Sequence, residues 1–177
     1  MYRLIKKFLI VLIVMLVLAG CGEKKDTLEI LFFSQITEDI EDDVINELEQ
    51  IYPESTKQFQ SKFYASVYER LIGEIAAHNG DILIVEADML TPGTFDSEGL
   101  VPFKLTEDRK NQISQDYKLI YKKTNEEQVY AMPINKKSAL FENLDIELDT
   151  ELVALVPIYS EHQDLAVQIG MEFSGFR

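Results

Sequence analysis

Three short apolar runs separated by two amphipathic stretches constrain the fold of this chain more than any other feature. Residues 27–34 (TLEILFFS) and 81–86 (DILIVE) are nearly continuous in strand-forming side chains, and residues 57–64 alternate Phe59, Ser61 and Phe63. Between the first run and residues 57–64, Ile40, Val44, Leu48, Ile51 and Tyr52 recur at helical spacing. Thr37 opens this helix with Glu38, Asp39 and Glu41 near its positive end, and Pro53 closes it. Before residues 81–86, Val67, Leu71, Ile72, Ile75 and Ala76 form a second helical face. Ser66 and Glu69 have the spacing of a capping box, and Asn79-Gly80 supplies residues that tolerate a left-handed C-terminal turn. The order is β-α-β-α-β with short connections. Right-handed crossovers then build an open sheet with helices on its faces, a three-layer α/β lobe whose sheet is mostly parallel but mixed.

After Glu86 the pattern loosens. Thr91-Pro92-Gly93 reads as a turn. Residues 107–121 place Ile113, Tyr117 and Ile120 at helix-like spacing, and residues 128–134 (QVYAMPI) read as a strand. Asp145, Glu147, Asp149 and Glu151 alternate with mostly apolar neighbours, an acidic-faced extended segment over residues 144–152. Residues 152–159 are apolar. Ser160 and Gln163 repeat the capping-box spacing and open a last helix through Leu165, Ile169 and Phe173.

The amino terminus has a different character. Arg3, Lys6 and Lys7 precede an unbroken apolar run from Phe8 to Leu18, followed by Ala19-Gly20-Cys21. Eleven helical residues rise about 1.5 Å each and cover only half of a ~30 Å hydrocarbon core, too little for a spanning helix. A basic start, a short apolar core and a small-residue exit are the parts of a signal peptide. Leu18-Ala19-Gly20-Cys21 resembles the lipobox of bacterial lipoproteins. That resemblance implies cleavage before Cys21, with a diacylglyceryl group on its sulfur and acyl chains such as palmitate holding it to the outer face of the cell membrane. Two or more chains anchor stably where one does not. The expected organisation is a signal peptide over residues 1–20, a lipidated tether over 21–26 and a single lobe over 27–177.

Cys21 is also the only cysteine, so a lipidated chain has no thiol left for disulfides, thiolate chemistry or metal ligation. The 157 residues that remain are enough for one core without staples. Arg3, Lys6 and Lys7 leave with the leader, so the formal charge of −14 becomes −17. This charge excludes nucleic acid, whose phosphates need Lys and Arg. It also excludes electrostatic adhesion to anionic lipid, which leaves the membrane contact to the tether.

The mature region resembles the first lobe of the extracytoplasmic solute-binding proteins of ABC transporters, in particular the sugar-type ones. Gly80-Asp81-Ile82-Leu83-Ile84-Val85 is similar to their third-strand motif without its proline. Gly99-Leu100-Val101-Pro102-Phe103 is similar to their Gly-Leu-x-Pro-Leu segment, and Tyr130-Ala131-Met132-Pro133 to their Tyr-Gly-x-Pro strand. Residues 153–173 are similar to their return strand and helix. Those proteins insert a second lobe after the Tyr-x-x-Pro strand, whereas here about twenty residues join Ile134 to Val153. The resemblance implies half of a cleft. Small-molecule sites usually bury about 70–90% of their ligand, so one lobe implies weak carbohydrate binding or a partner protein, such as a permease component, covering the sheet end.

Open α/β sheets bind at the carboxyl ends of their strands. This rule nominates Ser34 and Gln35 after the first strand, Tyr64 after the second, and Glu86 and Asp88 after the third. Their hydroxyl, amide and carboxyl groups suit sugar hydroxyls, and Tyr64 offers a ring for an apolar sugar face. Ser160, His162 and Asp164 lie too close together along one segment to put a histidine between nucleophile and acid. His78, near a helix end, interacts favourably with the helix dipole. The acidic alternation at 145–151 lacks the glycine and spacing of a calcium loop. There is no phosphate loop, nucleophile elbow or zinc-protease motif. The expectation is therefore a non-enzymatic lipoprotein with no cofactor and no metal, accessory to solute uptake. Two alternatives stay open: a structural or protein-interaction lipoprotein, and an extracytoplasmic hydrolase built on carboxylates.

Overall fold

The computed structural model describes residues 26–135, 138 and 150–175. Cys21, the leader, the tether up to Lys25, and Asp145, Glu147 and Asp149 lie outside the described residues. The chain is a mixed α/β lobe. β1 (Thr27–Phe33), β2 (Gln58–Tyr64) and β3 (Ile82–Glu86) join β7 (Leu152–Leu155) and β6 (Met132–Pro133) in one sheet of order β2-β1-β3-β7-β6. β1 pairs in parallel with β2 and β3, and β7 runs antiparallel to both β3 and β6. Four strands therefore point one way and β7 runs against them.

The chain steps from β1 outward to β2, then crosses back to place β3 on the other side of β1. Two right-handed crossovers in opposite directions put their helices on opposite faces. The contacts agree. Tyr52, at the end of α1 (Glu41–Ile51), meets Phe59 at a ring distance of 6.4 Å. Arg70, on α2 (Tyr68–Ala76), lies over Tyr64 on the opposite face. α4 (Gln163–Ser174) packs on the α1 side, where Gly170 faces Phe103 and Ala154. A Cβ at Gly170 would lie 2.8 Å from the Phe103 ring, so this close approach requires glycine. Gly80 has φ +80°, and a Cβ there would meet Leu31 Cγ at 2.7 Å.

The core sits where alternation predicts it. Leu28, Ile30, Leu31, Phe32 and Phe33 in β1, Ile82 to Val85 in β3 and Leu152 to Leu155 in β7 are all buried. β2 lies at the edge and keeps its one-sided pattern, with Phe59 and Ser61 buried and Gln58, Gln60 and Lys62 exposed.

Several local expectations are corrected. Residues 107–121 form no continuous helix. They divide into α3 (Glu107–Lys110), a one-turn helix Gln115–Tyr117 and β4 (Lys118–Tyr121). Ile113 and Tyr117 are still buried, so the apolar spacing is satisfied by a chain that changes direction. β4 pairs with β5 (Glu126–Val129) as a separate hairpin, with Asn125 in the left-handed region at its turn. The strand expected over residues 128–134 is split between β5 and β6. His78 has φ +56° beyond the end of α2 and stacks on Tyr159 at 4.7 Å, a ring contact rather than a dipole effect alone.

Neither proposed capping box forms. α2 begins at Tyr68 after Val67, and α4 begins at Gln163 after His162, with no side-chain cap at either start. Both serines bond across the fold instead. Ser66 Oγ donates to Glu86 at 2.7 Å, and Ser160 Oγ donates to Asp81 at 2.7 Å. The second bond belongs to a buried polar latch at the amino end of the strands. There the Glu29 amide donates to Asp81 Oδ2 at 2.9 Å, the Gly80 amide donates to Glu29 Oε2 at 3.0 Å, and Lys62 pairs with the Glu29 carboxylate.

Candidate functional site

The parallel strands end together. Phe33 is in register with Tyr64 on one side and Val85 on the other, so Ser34 and Glu86 follow as neighbours at the sheet's carboxyl end. Ser34 is buried. Its amide donates to the Tyr64 carbonyl at 3.1 Å, and its Oγ accepts the Ile36 amide at 3.2 Å, which turns the chain out of β1. Gln35 is exposed at this turn. Tyr64 is half-buried, with its ring tilted against Phe33 at 5.2 Å. The Arg70 guanidinium lies 4.3 Å from the ring centroid and bridges to Glu74 at 2.5 Å. The platform expected of Tyr64 thus already carries a cation on one face.

Glu86 is the least ordinary of the nominated groups. It is 6% exposed at the end of β3. Its Oε2 accepts from Ser66, and its Oε1 is buried with no hydrogen-bond partner among the described residues. Buried polar atoms are nearly always satisfied, so an orphaned carboxyl oxygen calls for an explanation. Ser66 is exposed and also lies 3.3 Å from Met89 Sδ. Asp88 is exposed on the one-turn helix Ala87–Met89. Val67 and Tyr68, where the segment after β2 enters α2, are exposed, and the Tyr68 hydroxyl is 2.9 Å from Thr91 Oγ1.

The structure therefore brings Ser34 and Glu86 together, places Gln35 and Asp88 on the rim, and adds Ser66, whose spacing to Glu69 points to a helix cap instead. Its position two residues past β2 was the available signal. A second addition lies where β7 begins. Ala87 donates its amide to the Glu151 carbonyl, and the Tyr117 phenol faces the Glu151 carboxylate. Burial first, and then this carboxylate, push Tyr117 up to about 12.

Burial also raises Tyr130 and Tyr159. A raised phenol pKa means that the folded chain keeps its proton after the unfolded chain has lost it. The stability tied to these protons is fully present below pH ~10 and is lost as pH rises towards the folded values. Urea unfolding is expected to show declining stability from pH 10 upward, with a shallower decline in Tyr117→Phe. A slope unchanged by that substitution would remove Tyr117 from the account.

Chemically, this end offers acceptors and hydroxyls. A donor-bearing neutral or cationic ligand suits it, and an anion does not. Ser160, His162 and Asp164 make no relay. Ser160 Oγ accepts the His162 backbone amide and donates to Asp81, at the opposite end of the strands. No group of three or more metal-ligating side chains occurs among the described residues.

No protein-family model matches the chain. A curated protein of Bacillus subtilis (strain 168), named "Putative lipoprotein YteS", is 27% identical over 169 residues, covering 96% of this chain and 95% of that protein. Among solved structures, a cyclo/maltodextrin-binding protein complexed with maltotetraose is similar with a TM-score of 0.43 and 18% identity. The match covers 67% of this chain and 33% of that one. This chain thus spans about a third of that protein's length.

Proposed function

We propose that this protein is a non-enzymatic lipoprotein, anchored through lipid on Cys21 to the extracytoplasmic face of the cell membrane. Its single lobe serves solute uptake by binding a hydroxyl-rich ligand, of the carbohydrate class, at the carboxyl end of its sheet. The observation that carries the ligand reading is the buried, orphaned Oε1 of Glu86 beside Ser34 and Ser66. Oε1 is closed to solvent in this packing, so a ligand hydroxyl supplies the missing partner once the exposed Ser66 side chain turns aside. The basic, apolar and small-residue order of residues 3–21 supports the anchor, as does the name of the Bacillus subtilis relative.

Membrane fractionation tests the anchor. The wild type is expected in the membrane fraction and Cys21→Ser in the soluble one; equal partition contradicts anchoring. Glu86 provides a test of the site. A buried carboxyl group with one donor is costly to retain. Glu86→Gln is expected to be as stable as the wild type or about 1 kcal/mol more stable, and to weaken binding to neutral oligosaccharides in calorimetry. A strong loss of stability would make Glu86 a structural residue. A second reading, docking of a protein partner such as a permease component at the same end, is favoured by the exposed Val67 and Tyr68.

A further inference from the structure

The chain enters the lobe at the end of the sheet opposite the candidate site. Asp26 directly precedes β1, and it is fixed there. Its carboxylate pairs with Lys57 at 3.2 Å, and its carbonyl accepts the Gln58 amide at 3.0 Å. The surface around it comprises the exposed Glu54, in the loop entering β2, and Glu161, which follows β7. Ser34, Gln35, Glu86 and Asp88 lie past the other ends of the same strands.

The reach of the tether can be compared with the height of the sheet. From Cys21 to Asp26 there are five residue steps, at most about 18 Å when fully extended. β1 alone has seven residues, about 23 Å of sheet, and the loops carrying Gln35 and Asp88 stand above that. A lipid-bearing Cys21 cannot leave the bilayer, so the amino end of the sheet stays close to the lipid headgroups. The tether is too short to pass around the lobe and turn the carboxyl end downward. The formal charge of −17 after loss of the leader repels anionic lipid and disfavours a lobe lying flat.

We infer that the lobe stands on the membrane by its amino end, with the candidate site opening away from the bilayer. This inference rests on the lipid anchor proposed above and deepens the ligand reading. The occupant is a soluble, hydroxyl-rich molecule arriving from the aqueous side.

The test uses the full lipidated chain in mixed phosphatidylcholine–phosphatidylglycerol vesicles carrying energy-transfer acceptors on their headgroups. Mass measurement of the amino-terminal peptide first establishes acylation of Cys21. An unmodified Cys21 overturns the anchor and this inference together. Because acylated Cys21 leaves no other thiol, a donor can be placed singly at Gln35→Cys or Asp88→Cys above, and at Glu54→Cys or Glu161→Cys below. All four residues are exposed. Transfer is expected to be at least twofold stronger from the lower pair; equal or reversed transfer on acylated protein overturns the orientation alone. Inserting about twenty Gly/Ser residues between Gly22 and Glu23 is expected to abolish the difference, because flexible linkers of that length span more than the sheet. A difference that survives the insertion overturns the tether as its cause.

Discussion

Replacing Phe32 by alanine is expected to cost about 3–5 kcal/mol, the range for removing a fully buried aromatic ring. Phe32 is 0% exposed in β1, the strand flanked by β2 and β3, and its ring stacks on Phe63 at 4.7 Å with an interplanar angle of 11°. The substitution removes ring burial on the α1 face and the aromatic pair together, and neighbours held in two parallel ladders cannot collapse into the space. Small domains have only about 5–15 kcal/mol of total stability, so Phe32→Ala is expected to leave the chain barely folded at 37 °C. Urea unfolding should show a much lower midpoint with the slope unchanged. The matched control is Ile158→Ala, at a side chain 52% exposed, which is expected to stay within about 0.5 kcal/mol of the wild type. A Phe32→Ala loss under 1 kcal/mol would mean that this face is not the packed core.

Asp81→Ala is expected to cost about 3 kcal/mol through a different mechanism. The Asp81 carboxylate is 7% exposed and accepts two donors, the Glu29 amide and the Ser160 hydroxyl. Alanine leaves both donors without their acceptor in a region shielded from water, and each unsatisfied buried group costs about 1–3 kcal/mol. Relief of repulsion from the Glu29 carboxylate offsets part of the loss. Ser160→Ala removes one partner only and is expected to cost about 1 kcal/mol. Because the two residues share a bond, their effects should be less than additive when combined. Additive losses would show that Ser160 and Asp81 act independently. The latch matters to the fold because it ties the segment after β7 to the start of β3, 79 residues earlier.

The sheet was legible in the sequence because its signal is local and redundant. β1, β2 and β3 each satisfy a strand pattern, and two amphipathic helices of adequate length separate them. The errors fell where a local pattern competed with a distant partner. Ser66 and Ser160 both have a capping-box spacing, yet each donates to a carboxylate 20 or 79 residues away. Spacing cannot reveal an acceptor supplied by another strand. Ile113, Tyr117 and Ile120 sit at helical intervals, but burial of the first two is achieved by a turn, a short helix and a hairpin strand. The strand-end rule nominated Ser34, Gln35, Glu86 and Asp88, and these residues follow the carboxyl ends of β1 and β3. It could not reveal that Arg70 lies over Tyr64, because that contact depends on which face of the sheet α2 covers. The rule gave Glu86 no precedence either. Its lack of a hydrogen-bond partner among the described residues is a property of the packed structure.

The carboxyl end of the sheet is proposed above as a binding surface for hydroxyl-rich solutes. Amide chemical-shift mapping during titration with neutral oligosaccharides tests it most directly. Saturable shifts are expected to cluster at Ser34, Gln35, Ser66, Glu86 and Asp88 and to disappear in Glu86→Gln. Shifts confined to the amino end around Lys57 and Ser160, or no saturable shifts at any oligosaccharide concentration, would contradict it.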